Sequence, residues 1–398
     1  MNRLPLLAWC FLPVALAAGD SPSNWTEGVK VSAIAPEAQH HSIHSYFNTS
    51  PESPDGRWIL LYASTTLDGH NGEVRIRERA TGQERVLARN VTTEDAHRAA
   101  CQQWISGGRR VVFHDLRGGR WVIVSVDVAT AKERVLTSGR MLSWGQPGGD
   151  IVPIYGPHWA PGENRDLELL NVETGAIRKV LTADAVRAKY AEPIQQRFGD
   201  RPISIFFPIL SPNGKRVIFK LATPAGGDFR SKSASDREML IGYDLEDSRF
   251  LFCRAKWGHP AWHPNSKTLI NVPNVLIDSD TGAERAIAGL PKFPGSHPCI
   301  SPDGRLFATD TQLEPFGGKK GEWGVVVGDL DGKEYRILHR FGNAHGAASW
   351  RVSHPHPSFS ADSRRVYFNV SAGQWTELHV AAAAAQKPAA STSRLAKL

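Results

Sequence analysis

The chain carries, from residue 353 to residue 368, the stretch Ser353-His354-Pro355-His356-Pro357-Ser358-Phe359-Ser360-Ala361-Asp362-Ser363-Arg364-Arg365-Val366-Tyr367-Phe368. Its second half has the composition of a strand end, a tight polar turn and a second strand. Its first half sets two histidines two residues apart, so on an extended segment both side chains face the same way. The turn and the histidines both recur along the chain, and together they support most of the predictions below.

The turn has seven copies, and a second turn alternates with it. Copies of the first turn start at Ser53, Ser106, Pro147, Ser211, His263, Ser301 and Ser360. Copies of the second start at Arg77, Asp127, Asn171, Asp244, Asp278 and Asp329. Two hairpin turns in each repeat of about 40 to 60 residues indicate a four-stranded antiparallel blade. The sequence therefore predicts an all-β fold, a seven-bladed β-propeller, with one helical insert from Ala183 to Gln196.

The two ends of the sequence differ in composition from the repeats. Met1-Asn2-Arg3 is followed by an apolar run from Leu4 to Ala18, which predicts a signal peptide over residues 1–18 and a periplasmic or secreted protein. No later segment is long and apolar enough to predict a membrane span. Residues 19–380 are predicted to form the propeller, and residues 381–398, rich in Ala, Lys and Ser, a disordered tail. We expect a monomer.

Charge and motifs narrow the function classes. The net charge of +7 is spread along the chain, without the dense Lys/Arg run of a nucleic-acid-binding arm, so no nucleic-acid partner is predicted. The basic residues either form an ordinary solvated surface or attract a polyanion. Neither a Gly-x-Ser-x-Gly elbow nor a phosphate-binding glycine loop is present. Cys101, Cys253 and Cys299 are too few for a disulfide framework once the signal peptide is removed.

Histidines precede the turn in the last three repeats. In a propeller the strand before the first turn is the innermost one, so equivalent positions form a ring around the channel. His259, His297 and His356 each lie four residues before a turn, with His354 and Cys299 two residues away from members of this ring. These five residues are predicted to bind a divalent metal, zinc first, with manganese or calcium as alternatives. The other interpretation is that His-Pro pairs simply favour strand starts and the imidazoles bond to the backbone.

A second set of candidate residues lies in the earlier repeats. It consists of His97, His114, Tyr155 and Arg165, and Arg237 follows later as a cation near the channel mouth. Imidazoles, a phenol and a guanidinium can abstract a proton, return one and neutralise a carboxylate. The competing interpretation is that these residues pack between blades, or in the case of Arg237 lie in a solvated loop.

The last three repeats resemble a known family. His259-Pro260-Ala261-Trp262-His263-Pro264, Ser296-His297 and the pair His354 and His356 resemble the oligogalacturonate lyases in order and spacing. Those proteins are seven-bladed propellers that cleave uronic-acid chains by β-elimination. The resemblance implies that His297, His354 and His356 hold the metal, that His259 is the base and that Arg237 contacts the substrate carboxylate. Where that family has a glutamine ligand, three residues before the histidine pair, this chain has Arg351.

The order of His97, His114, Tyr155 and Arg165 resembles a related group, the propeller ulvan lyases. Those combine a metal-free catalytic site of two histidines, a tyrosine and an arginine with a structural zinc. Both resemblances imply an exported polysaccharide lyase acting on an anionic, uronic-acid-containing glycan. In that reaction His97 or His114 would remove the C5 proton and Tyr155 would protonate the leaving oxygen. The alternative is a non-catalytic exported propeller that serves as a binding or assembly scaffold, which fits the turns but leaves the aligned histidines without a role.

Overall fold

A computed structural model describes residues 25, 28–36 and 39–383. The predicted signal peptide lies outside these residues, as does most of the predicted tail. The strands are β1 (Lys30–Ala33), β2 (His41–Ile43), β3 (Trp58–Ser64), β4 (Asn71–Glu78), β5 (Glu84–Thr92), β6 (Gln103–Ile105), β7 (Arg110–Arg117), β8 (Arg120–Asp127), β9 (Glu133–Ser138), β10 (Met141–Leu142), β11 (Ile151–Tyr155), β12 (Leu167–Asn171), β13 (Ile177–Leu181), β14 (Ser204–Leu210), β15 (Arg216–Pro224), β16 (Ser235–Asp244), β17 (Arg249–Arg254), β18 (Ala261–Trp262), β19 (Thr268–Asn271), β20 (Val275–Asp278), β21 (Glu284–Ala286), β22 (Cys299–Ile300), β23 (Leu306–Gln312), β24 (Glu322–Asp329), β25 (Tyr335–Gly342), β26 (Ser358–Phe359), β27 (Arg365–Val370) and β28 (Glu377–Ala382).

These strands form seven four-stranded antiparallel sheets, so the predicted all-β seven-bladed propeller is confirmed. Blades 1 to 6 each take four consecutive strands, from β2–β5 through β22–β25. Blade 7 takes β26, β27 and β28 and receives β1 as its outer strand, with Lys30 opposite Ala382. The first two residues of the predicted tail, Ala381 and Ala382, therefore lie in a strand. Because the fourth strand of blade 7 comes from the other end of the chain, this blade has no second turn.

Four of the first turns, those that start at Ser53, Ser211, Ser301 and Ser360, share one hydrogen-bond pattern, which explains why the motif repeats. In the turn of blade 6, the Ser301 hydroxyl donates to Asp303 Oδ1 at 2.5 Å and accepts from the Leu306 amide at 2.9 Å. Gly304 has φ +73°, a left-handed conformation that glycine adopts without strain. Serine, aspartate and glycine at these positions therefore encode a hairpin without help from distant residues.

The innermost strand of each blade runs from an inter-blade connection to a first turn. All connections between blades thus lie at one end of the channel, here called the upper mouth, and all first turns lie at the lower mouth. Tyr46 and Phe47 fill the channel between them: Tyr46 stacks on Trp144 with ring centroids 5.3 Å apart, and Phe47 lies 5.2 Å from the ring of His297. The lower mouth holds an apolar cavity of about 320 Å³ lined by turn prolines, including Pro54, Pro212 and Pro302.

Blades 7 and 1 are joined by a buried ion pair. Glu52, on the blade 1 side, accepts two hydrogen bonds from Arg365 of β27, at 2.8 and 2.9 Å, and another from the hydroxyl of Tyr367. Asn369 adds a reciprocal pair of hydrogen bonds with the backbone of His44, both 2.9 Å. These polar contacts hold the ring closed where the two ends of the fold meet.

The predicted helical insert is present between blades 3 and 4. It forms α1 (Ala183–Lys189) and α2 (Ala191–Phe198). The Thr182 hydroxyl caps α1 by accepting from the Ala185 amide at 3.1 Å, and Ile194 and Phe198 bury the apolar side of α2. Within the described residues, neither helix has the length and apolar character needed to cross a membrane.

Candidate metal centre and cationic cleft

Four imidazoles converge at the upper mouth. His97, His297, His354 and His356, here called the histidine cluster, each offer one nitrogen, and these nitrogens all lie within 4.8 Å of one another. His97 comes from the β5–β6 connection, His297 from β21–β22, and the pair from β25–β26. Three inter-blade connections that are distant in sequence therefore supply one compact set of nitrogen donors.

The cluster contains buried nitrogens without partners. Nε2 of His97, Nε2 of His297, Nδ1 of His354 and both ring nitrogens of His356 are buried and accept or donate no hydrogen bond. Leaving buried polar atoms unpaired costs free energy, and native proteins avoid it. A bound metal ion would coordinate such lone pairs, so the residues present fit a divalent cation with imidazole ligands.

Neighbouring groups orient two of the four rings. His297 Nδ1 donates to Asp310 Oδ2 at 2.6 Å, and His97 Nδ1 donates to the carbonyl oxygen of Val352 at 3.1 Å. Each bond leaves the lone pair of Nε2 available to a metal, as outer-shell partners do in metalloproteins. Burial raises the pKa of Asp310, but the nearby His297 and backbone amides outweigh it, so the pKa is lowered and the carboxylate stays ionised.

The electrostatics keep His97, His354 and His356 neutral. Burial lowers the pKa of His97 and of His356 well below the usual histidine range, and Arg351 and the other histidines lower both pKa values further. Burial also lowers the pKa of His354, to about 3. Neutral imidazole is the form that binds a metal, so these three rings are in their ligating state at neutral pH.

His356 adopts an unusual backbone conformation. Its φ is +46°, in the left-handed region, and Pro357 follows it, which further restricts the backbone. Such strain costs about 1–3 kcal/mol and is found mainly at functional sites. The backbone therefore bends at His356, whereas the sequence predicted an extended segment for the pair His354 and His356.

Two predicted ligands lie outside the cluster. His259 packs against His297 with ring centroids 4.9 Å apart, but its nitrogens are not among those that converge. Cys299 belongs to β22, where it pairs with Ala308, and lines the cavity at the lower mouth. The two-residue alternation that placed it beside His297 does not apply, because His297 precedes the strand and its direction is set by Asp310. Burial raises the pKa of the Cys299 thiol to about 12.

A cleft with several cations opens beside the cluster. This cationic cleft has a volume of about 620 Å³. Its lining includes Lys220, Lys232, Arg237, Arg351, His259, His354, Trp257, Trp350 and one acid, Glu238. Arg237, predicted to contact substrate, thus lies in the cleft. Arg351 also lines the cleft.

Tyr155 belongs to a buried polar network. Arg98 donates to the Tyr155 hydroxyl at 3.2 Å and pairs with Glu94, which in turn accepts from His158 Nε2 at 3.0 Å. The Ser235 hydroxyl is hydrogen-bonded to His158 Nδ1 at 2.6 Å. Tyr155 is fully buried, and this burial raises its pKa above the usual tyrosine range. A phenol enclosed in this way has no access to a substrate.

His114 and Arg165 lie in separate environments. His114 Nδ1 accepts from the Leu142 amide at 3.2 Å, and its ring packs edge-on against Trp121. Arg165 is partly exposed and pairs with Asp184 of α1 at 2.5 Å. None of the described contacts joins these two residues to His97 or Tyr155, so the structure does not assemble the predicted group of four.

The sequence analysis missed two residues of the site, Asp310 and Lys220, and it did not place His97 among the metal ligands. Asp310 and Lys220 occur within strands of ordinary composition, β23 and β15, and no local pattern distinguishes them. His97 contacts Val352 across a separation of 255 residues, which no motif records. Such contacts could be anticipated only from the propeller topology, which shows that the connections between blades meet at the upper mouth.

No family model matches the sequence, and no curated protein does either. Among solved structures, an oligogalacturonate lyase from Vibrio parahaemolyticus is 17% identical with a TM-score of 0.61, over 90% of this chain and 94% of that chain. An oligogalacturonate lyase in complex with manganese is 16% identical with a TM-score of 0.41, over 90% and 94%. The β-propeller domain of Cps50 (Swd1) from Myceliophteria thermophila is 10% identical with a TM-score of 0.50, over 87% and 100%. At these identities the likeness establishes the propeller fold and leaves the reaction to be argued from the site.

Proposed function

We propose that this protein is a polysaccharide lyase that cleaves a uronic-acid-containing anionic glycan by β-elimination. The observation that carries the proposal is the position of four convergent imidazoles, with unpaired buried nitrogens, beside a cleft lined by two arginines, two lysines and one acid. A cleft of this charge favours an anionic ligand. The net charge of +7 adds a general attraction for a polyanion.

Arg237 and Arg351 would bind the uronate carboxylate. Guanidinium groups form paired hydrogen bonds with carboxylates, and both arginines face the cleft. Neutralising the carboxylate makes the C5 proton acidic enough for a side chain to remove. Elimination then forms a double bond between C4 and C5 and breaks the bond from C4 to the glycosidic oxygen.

The histidine cluster would hold a divalent cation, which adds positive charge where negative charge develops on the substrate. Four neutral nitrogen donors suit zinc, with manganese as an alternative, and disfavour calcium, which prefers oxygen ligands. The site residues in this proposal are thus His97, His297, His354 and His356 for the metal, and Arg237 and Arg351 for the substrate. Two side chains of the cleft can accept the proton, His259 and Lys220, and they are compared in the next subsection.

Export is part of the proposal. A lyase that acts on a polymeric glycan meets its substrate outside the cytoplasm, which agrees with the signal peptide predicted over residues 1–18. N-terminal sequencing of the protein recovered from its native host tests this prediction. A chain that retains Met1 or Asn2 contradicts it.

The reaction is tested by incubating the metal-loaded protein with polygalacturonate, ulvan and a glycosaminoglycan. The unsaturated product is followed by its ultraviolet absorbance and by mass spectrometry. We expect product from at least one uronate polymer, none from a neutral polysaccharide, and a large loss of activity for Arg237→Gln. If a protein with bound metal yields no unsaturated product from any uronate polymer, the lyase proposal fails and the binding scaffold becomes the better interpretation.

A further inference from the structure

We propose that Lys220, acting as a neutral amine, is the base that removes the C5 proton of the uronate in the cationic cleft. This inference rests on the proposed function and names a residue that neither sequence motif nor resemblance had indicated. Three features of the structure support it: the aromatic surroundings of the amine, the charges that face it and its position beside the two arginines.

Aromatic rings surround the side chain. Lys220 lies on β15, and its Nζ is 5.0 Å from the ring centroid of Phe206, 4.9 Å from Phe207 and 5.0 Å from Trp257. The side chain forms no ion pair or hydrogen bond with the described residues. Structural lysines that are withdrawn from water are normally paired with an acid. A lysine held in place by packing alone, with its amine at a cleft, is available to a ligand.

The charged groups that face Lys220 come from several elements. Arg237 projects from the neighbouring strand β16, Arg98 from the β5–β6 connection and Arg351 from the β25–β26 connection. His259 lies in the same cleft, and Glu238 of β16 is the acid on this side. Burial lowers the pKa of Lys220 well below the usual lysine range, and the three arginines lower it further against a weaker opposite effect of Glu238. A lysine in a desolvated, cationic site is neutral often enough to act as a base.

The position of the amine suits the reaction. Lys220, Arg237 and Arg351 line one cleft, so a carboxylate bound by the arginines brings the adjacent C5 towards the amine. The C5 proton moves to Nζ, and the electron pair of the C5–H bond forms the double bond between C4 and C5. The bond from C4 to oxygen breaks, its electron pair stays on the leaving oxygen, and this oxygen takes a proton from cleft water. The Lys220 ammonium then returns its proton to the resulting hydroxide, so no net proton is consumed.

His259 is the alternative base, and the resemblance to the oligogalacturonate lyases favours it. Its ring turns towards the channel, 4.9 Å from His297 and 6.2 Å from Phe47. Lys220 instead stands on the β15–β16 side of the cleft, next to Arg237. The two assignments are separated by experiment.

The first experiment measures the amine without any turnover. Trace acetylation with acetic anhydride across a pH series, read by peptide mass spectrometry, gives the titration midpoint of each lysine. We expect the midpoint of Lys220 to fall well below that of Lys267, an exposed lysine of the blade 5 turn. Equal midpoints for the two lysines overturn the proposal, whatever the protein cleaves.

The second experiment compares Lys220→Ala, Lys220→Arg and the control Lys267→Ala. Loss of a general base predicts that kcat falls about 100-fold or more for both Lys220 variants, with metal content and folding unchanged. Added methylamine should restore part of the kcat of Lys220→Ala, as expected when a small amine replaces the missing one. Lys267→Ala should behave as the wild type.

The outcomes distinguish this inference from the function it rests on. Suppose that the wild type cleaves uronate and that Lys220→Arg keeps more than a third of the wild-type kcat. Lys220 is then not the base, and the lyase function remains intact. A kcat lost in His259→Ala and restored by imidazole would assign the base to His259 and overturn the proposal. If the wild type has no lyase activity, the proposed function is wrong, and the base assignment falls with it. The acetylation experiment then reports only whether the Lys220 amine titrates abnormally.

Discussion

The upper and lower mouths of the channel are built on the same seven inner strands, yet they differ in how their polar groups are satisfied. At the lower mouth, turns such as that of Ser301 and Asp303 in blade 6 close on themselves. At the upper mouth, buried imidazole nitrogens lack partners, and two arginines and two lysines share the cleft with one acid. Regular, satisfied turns specify the fold, whereas unsatisfied groups held in place by that fold are available for binding and chemistry. Each prediction below tests one side of this difference.

The largest effect is expected from a histidine of the upper mouth. His297→Ala removes the proposed ligand that Asp310 orients. It should abolish stoichiometric binding of zinc or cobalt, with a loss of affinity of roughly 100-fold or more. Isothermal titration calorimetry and the visible spectrum of the cobalt form measure this change. The variant should be less stable, because Asp310 loses its imidazole donor, but it should still fold, since the backbone amides of residues 296 and 297 continue to donate to Asp310.

The matched control is a histidine of the lower mouth. Both ring nitrogens of His263 are satisfied, one by the carbonyl oxygen of Gly304 at 3.2 Å and the other by the Asn265 amide at 3.0 Å. His263→Ala should keep full metal affinity and lose about 1 kcal/mol of unfolding free energy. If it lost metal as His297→Ala does, the distinction between the two mouths would not hold.

The next effect concerns ring closure. Glu52→Ala leaves Arg365 and the Tyr367 hydroxyl without their shared carboxylate, and losing hydrogen bonds to a buried charged group costs about 2–3 kcal/mol. Urea unfolding monitored by tryptophan fluorescence measures the loss. Lys215→Ala, which breaks an exposed pair with Glu246, is the control and should leave stability almost unchanged. Similar losses in both variants would argue against a special role for the closure contact.

A third prediction separates a structural histidine from the cluster. Burial lowers the pKa of His114 to about 3 from its ordinary 6.5. The unfolded chain therefore binds a proton that the folded protein does not, and stability is lost as the pH falls below 6.5. Between neutral pH and about pH 5 the loss is about 2 kcal/mol for this residue. The unfolding free energy of His114→Gln should fall less steeply with pH than that of the wild type, and parallel curves would refute this assignment.

The smallest effect is expected at Cys299. The raised pKa of its thiol, about 12, and its burial predict slow reaction with iodoacetamide in the folded protein. Cys299→Ala should bind metal with wild-type affinity, because the thiol lines the lower cavity. A clear drop in zinc affinity in this variant would return Cys299 to the ligand set.

The fold was predictable because its signals are local. Most first turns are encoded within a few residues, and the structure explains why seven first turns accompany only six second turns: β1 completes blade 7. The site was predictable only in part. His297, His354 and His356 precede turns and could be aligned, but His97 reaches them from a connection 200 or more residues away. Cys299 was placed by strand alternation, which ends at the first residue of β22.

The pairing of β1 with β28 also determines when the site can exist. β28 follows the strands of the first six blades in the chain, so the ring stays open until β28 has been synthesised, however well the individual blades have formed. The histidine cluster needs His97 from the first blades and His354 from the last, and closure brings them together. Loading of the proposed metal would therefore follow ring closure, because the donor nitrogens converge only in the closed ring.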